Sequence, residues 1–168
     1  ANGTGGRIVN VRAGSTIIAD RASAGAGSTA LTLSTLTMGS NTLTIKPGEN
    51  VTSGTVGLTL GSVFLGGASM RPGSPTFDVQ STANAALTLT LGSFTDQFIA
   101  PRTITFQNSD TSPSTVTLAT AATALVNGTP INSANTGGAV SVNLNIPSAL
   151  GTLARVNVDS GNTLTLGA

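Results

Sequence analysis

Six carboxylates, Asp20, Glu49, Asp78, Asp96, Asp110 and Asp159, are the residues of this 168-residue chain with the widest chemical reach. Two carboxylates facing each other across a groove can cleave a glycosidic bond, one as acid and the other as base or nucleophile. A polysaccharide-active enzyme is therefore one expectation, tested most directly at Asp78 and Asp96. Against it, all but Asp78 sit in or beside turn-like segments, where a carboxylate commonly accepts backbone N–H bonds. Asp78 alternates with Phe77 and Val79 and is expected on the outward face of a strand. With no His, Cys, Trp or Tyr, a Ser-His-Asp triad, a thiolate nucleophile and a His- or Cys-based metal site are excluded. No window clusters acidic residues as a calcium loop requires, and Gly3, Gly5 and Gly6 neither follow a strand nor open a helix, so they form no phosphate loop. The reading is of a non-enzymatic protein with no catalytic, cofactor or metal residue.

The elements that would position any such chemistry are short and strand-like. Only 8% of residues are charged, seven basic and six acidic, so there is no field to attract nucleic acid. Arg7 and Arg12 come closest to a patch. Ser and Thr exceed a quarter of the chain and supply a polar, non-ionic surface, while the apolar 39% is chiefly aliphatic, with five Phe. No apolar run is long enough for a membrane-spanning helix. The start at Ala1 suits a processed secreted protein or an excerpt of a longer one.

Along the chain, residues 1–6 read as a flexible lead-in or an inter-subunit connection, and residues 1–168 as a single β-repeat domain. Ile8 to Ala19 reads as strand, turn and strand, followed by an exposed loop from Arg21 to Thr29. Leu31 and Leu33 alternate with Thr32, the phase slips by one, and Leu36 and Met38 continue. Each such slip marks a turn or bulge. Further strands are expected at Leu43 to Ile45, on either side of Gly61 as two short ones, from Phe77, and over Leu87 to Leu91. They continue at Thr103 to Phe106, Val116 to Leu118, Val140 to Ile146 and Val156 to Val158. KPGEN at 46–50 and MRPGSP at 70–75 are turns. Helix is supported nowhere except for one or two turns over Ala119 to Val126.

Two architectures accommodate strands separated by turns about every ten residues. One is a solenoid of stacked coils of roughly 20 to 30 residues, about seven of them spanning roughly 30 Å. The other is an antiparallel Ig-like or jelly-roll sandwich completed by strand exchange, in which Asp159 to Asn162 makes a hairpin turn. The phrases GLTLGSVFLGGASMRPGSPTFDV, ALTLTLGSF and ALGTLARVNVDSGNTLTLG resemble the autotransporter-associated β-strand repeat proteins, over about Thr55 to Ala168, with Val9 to Ile17 as an outlying copy. The resemblance implies a right-handed parallel β-solenoid exported to the bacterial cell surface, and it brings no catalytic motif. Nothing in the chain resembles the outer-membrane barrel that follows many such passengers.

VNVDSGNTLTLGA, at 156–168, nearly repeats VNVRAGSTI, at 9–17. Both ends thus read as one strand-forming module, and unpaired strand edges are templates for further pairing. The expectation is a structural protein assembling head to tail as a helical homopolymer, in an extracellular or surface fibre or stalk. Its nominated assembly residues are Val9, Val11, Ile17, Val156, Val158, Leu164 and Leu166. The alternative is a pilin- or adhesin-like module with Ala1 to Val11 as donor strand. Glycans enter as possible partners, and Asn2, Asn50 and Asn127 stand in N-glycosylation sequons.

Overall fold

The computed structural model describes residues 7–66, 73–96, 102–118, 129–144 and 153–166. Among them are thirteen strands: β1 (Ile8–Val11), β2 (Ser15–Ala19), β3 (Thr29–Met38), β4 (Thr42–Pro47), β5 (Gly54–Leu65), β6 (Thr76–Val79), β7 (Ala85–Asp96), β8 (Ile104–Asn108), β9 (Ser114–Leu118), β10 (Thr129–Asn135), β11 (Val140–Leu144), β12 (Leu153–Val158) and β13 (Thr163–Leu166). Odd and even strands separate into two sheets. Sheet A runs β1-β3-β5-β7-β9-β11-β13 and sheet B runs β2-β4-β6-β8-β10-β12.

Every ladder between these strands is parallel. A chain that visits two sheets alternately and pairs only with the preceding and following coil is a parallel β-solenoid. The antiparallel sandwich is thereby excluded. Asp159 to Asn162 does turn the chain, with Gly161 at φ 84° and Asn162 N–H donating to the Asp159 carbonyl. It nevertheless joins strands of different sheets, so no hairpin forms.

Period-two alternation sets the facing of each strand, because successive side chains leave opposite faces. Val56, Leu58 and Leu60 in β5, and Leu87, Leu89 and Leu91 in β7, are buried. Register then places like on like. Leu31 pairs with Leu58, Leu58 with Leu89, Leu89 with Val116 and Val116 with Val142. In sheet B the Phe77 and Phe106 rings stack at 5.4 Å between centroids, from paired positions of β6 and β8. The core is thus a set of aliphatic columns along the coil axis, with one aromatic step.

The phase slips are corners inside long strands. Leu33 pairs with Leu60 and Thr35 with Ser62, leaving Ser34 and Gly61 out of register, and the same skip recurs one coil on at Gly92. β5 is therefore one twelve-residue strand bent at Gly61, where the sequence reading expected two. Backbones crowd here. A Cβ on Gly61 would come within 2.9 Å of the Ser34 carbonyl oxygen, and one on Gly92 would collide with that of Gly61.

β10 was absent from the expected strands. Pro130 and four polar residues hide it, and Ser133 takes a buried, core-facing position opposite Phe106. The Ala119 to Val126 segment, where helix was entertained, and residues 1–6 lie outside the described residues. No helix occurs among those described.

Candidate functional site

The carboxylates are placed by the turns between sheets. Asp20, just past β2, accepts hydrogen bonds at Oδ1 from the Arg21 and Asn50 N–H groups, at 2.8 and 3.0 Å, and at Oδ2 from Asn50 Nδ2 at 3.2 Å. It ties one coil's turn to the next. Asp159 does the same, accepting from the Asn135 N–H at 3.2 Å. Asp110 folds on its own turn, accepting from the Thr111 N–H at 2.6 Å. Asp96 ends β7 in register with Leu65.

Asp78 departs from expectation. Its place in β6 alternates with the core residues Phe77 and Val79, as the sequence suggested, but it is only 5% exposed. Gln80 Nε2 donates to its Oδ2 at 2.8 Å, the Ser109 N–H to its Oδ1 at 2.9 Å and Ser109 Oγ to its Oδ2 at 2.7 Å. A carboxylate so closed over by its own donors is a structural rung between coils. It is not poised as an acid or base.

Glu49 and Asp110 alone among the carboxylates line one open cleft, of about 530 Å³, with Lys46, Thr52, Gln80 and Asn84 also on its walls. Three turns from successive coils form it. No group of three or more potential metal ligands occurs among the described residues. The cationic side chains are partly structural too. Arg21 Nη1 donates to the carbonyls of Ala26 and Gly27, and Arg102 Nη1 to that of Gly73.

All seven nominated assembly residues lie on the four outermost strands. Val9 and Val11 are on β1 and Ile17 on β2, at one end. Val156 and Val158 are on β12, and Leu164 and Leu166 on β13, at the other. Backbone register pairs Val9 with Leu36, Val11 with Met38, Ile17 with Ile45, Val158 with Ser133 and Leu164 with Val142. Val11 is already buried within its own coil. The two similar modules are not equivalent, however. Val9 to Val11 belongs to sheet A, whereas Val156 to Val158 belongs to sheet B, half a coil out of phase. In sheet B the outer strands β2 and β12 lie in one register. In sheet A, by contrast, β1 pairs with β3 beyond its corner, at Thr35 to Met38, and β13 lies in register with β3 before it, Leu164 leading through Val142, Val116, Leu89 and Leu58 to Leu31.

Ile8 and Ile18 were missed by the sequence reading. Among the described residues the large apolar side chains most open to solvent are Ile8 (67%), Ile18 (56%) and Val158 (39%), and all three lie on edge strands. Ile8 and Ile18 were legible as breaks in alternation, since each is an apolar residue beside the core-facing Val9 or Ile17.

Of the sequons, Asn2 and Asn127 fall outside the described residues. Asn50 is half-buried, and its Nδ2 is committed to Asp20 and to the Arg21 carbonyl. A sugar on that nitrogen would disrupt both bonds. Among the described residues no helix is long and apolar enough to cross a membrane. No known protein family, curated protein or solved structure matches this chain.

Proposed function

We propose that this chain is a non-enzymatic structural segment of an extracellular bacterial surface fibre or stalk. Its β-structure is continued end to end, by a second copy or by further coils of the same polypeptide. The observation that carries the reading is the concentration of exposed apolar side chains on β1, β2 and β12, each of which, among the described residues, pairs on one side only. An edge strand presents a row of unpaired N–H and C=O groups, and soluble proteins usually guard it with charge, proline or a bulge. Here β1 offers Ile8 and Val9 and β2 offers Ile17 and Ile18. In sheet B the register runs from Ser15 on β2 through Leu43, Phe77, Phe106 and Ser133 to Val158 on β12, so the two outer strands of that sheet lie in line for continuation.

Sedimentation and electron microscopy of the concentrated protein test this. Filaments or concentration-dependent oligomers are expected, lost in an Ile8→Lys/Ile18→Lys variant. A chain that stays monomeric at high concentration, with no filaments, removes self-assembly.

One observation favours a second reading, polysaccharide cleavage: Glu49 and Asp110 line the same cleft. Turnover of acidic or neutral glycans that disappears in Glu49→Gln and in Asp110→Asn would establish it. Their absence from any such activity leaves both residues as turn formers.

A further inference from the structure

Beyond its inward columns, sheet A has an outward face whose residues are also locked in register. Thr32 pairs with Thr59, Thr59 with Thr90 and Thr90 with Thr117, giving four threonines on four consecutive strands. Two residues earlier on β7 and β9 a second row begins, in which Thr88 pairs with Thr115, Thr115 with Ser141 and Ser141 with Thr163, while the same position on β3 and β5 is Ala30 and Gly57. The intervening residues Leu89, Val116 and Val142 are buried, so both rows lie on the outside. No charged residue interrupts either row. Sheet B's outward face differs, since Thr44 there pairs with Asp78 and Ile18 with Lys46.

Strand geometry sets the mesh of this surface. Adjacent strands are about 4.8 Å apart, and alternate residues of one strand about 6.6 Å apart. Each threonine node is one hydroxyl and one methyl on a β-branched side chain with little χ1 freedom, so the pattern is held before anything binds, Ser141 alone lacking the methyl. Thr59, Thr88, Thr90, Thr115 and Thr117 are half-buried by their neighbours, which confines them further. Charged groups impose their own hydration geometry, whereas a neutral array of hydroxyls and methyls leaves water free to adopt its own lattice. A rectangular mesh of this size is close to the oxygen repeats on the prism faces of hexagonal ice.

We infer that the outward face of sheet A, centred on Thr88, Thr90, Thr115 and Thr117, is an ice-binding surface. Hydroxyls occupy positions of the outermost ice layer while the methyls fit the troughs between rows. The inference is independent of end-to-end assembly, because the rows run along the solenoid's side.

The test is partition of the native protein into slowly growing polycrystalline ice, together with inhibition of ice recrystallisation. The wild-type chain is expected to enter the ice and to arrest grain growth. Thr90→Tyr/Thr117→Tyr is expected to reduce both by roughly tenfold, and the milder Thr90→Ser/Thr117→Ser pair, which removes only methyls, to reduce both by less. Thr76→Tyr/Thr105→Tyr on sheet B, a comparable change away from the rows, is expected to retain both, with circular dichroism confirming the fold of each variant. Exclusion of the wild-type protein from ice overturns the inference. So does an equal loss from the two sheets, or retention on microcrystalline cellulose by a chain that ice excludes.

Discussion

At the scale of single residues, polar groups in this protein serve chiefly to join coils. Asp78 accepts three hydrogen bonds while nearly buried, two of them from Ser109 in the following coil. Replacing it by Ala removes the acceptor of three hydrogen bonds, from the Ser109 N–H and hydroxyl and from Gln80 Nε2, which keeps its bond to Ser109 Oγ, and hydrogen bonds to a charged group contribute about 1.5–3 kcal/mol. Asp78→Ala should therefore lower stability by about that amount, whereas Glu49→Ala, at an exposed turn, should change it by less than about 0.5 kcal/mol. Denaturant unfolding of the two variants side by side checks both statements. Asn50→Ala removes the amide bonds to Asp20 and to the Arg21 carbonyl and should fall between them. The sequence showed Asp20, Asp110 and Asp159 as turn carboxylates because turn chemistry is local. It placed Asp78 on the outer face but not under cover, because what closes over it arrives 31 residues later, as Ser109.

At the scale of elements, alternation and corner residues determine the strands. The columns Leu31, Leu58, Leu89 and Leu33, Leu60, Leu91 form because each strand repeats the same inward phase and the same skip. The skip works only where backbones can approach closely. Gly92→Ala drives a methyl into the Gly61 carbonyl oxygen, so overpacking of about 1–3 kcal/mol is expected. Gly14→Ala, where the nearest other atom to the new Cβ is at 3.9 Å, should be nearly neutral. Thermal unfolding of the two variants distinguishes a required corner glycine from an incidental one. β10 escaped the sequence reading because the buried position opposite Phe106 is held by a serine, Ser133. Ser133 is accommodated by hydrogen bonding around it, including Asn162 Nδ2 donating to its carbonyl at 2.9 Å. That support comes from the next coil and has no signature within TPINSAN itself.

At the scale of the whole molecule, the solenoid is a stack in which each coil touches only its neighbours, seven strands deep in sheet A, or about 29 Å. Stability in such a stack is a sum of coil and interface terms. Deleting residues 1–20 should consequently trim β1 and β2 and expose β3 and β4 as new edges, with the remaining circular dichroism spectrum still that of a β-protein. A collapse of the whole spectrum would contradict nearest-neighbour coupling. Association through the ends would rest on backbone pairing and aliphatic contact, so raising the salt to about 0.5 M, where the Debye length falls to a few ångströms, should leave the sedimentation profile unchanged. What the sequence determined by itself is everything of period two: strand against turn, inward against outward, and a surface of hydroxyls with little charge. These are local properties, set by the alternation of side chains and the chemistry of Gly, Pro and Asp. Only the tertiary structure decided which strand lies beside which. Coil length varies, from 22 residues between Val142 and Leu164 to 34 between Leu43 and Phe77, and the turns that absorb the difference carry no periodic signal. That is why VNV at 9–11 and VNV at 156–158, alike as sequence, end in opposite sheets, and why two rows of threonine scattered through the chain come into line on one face.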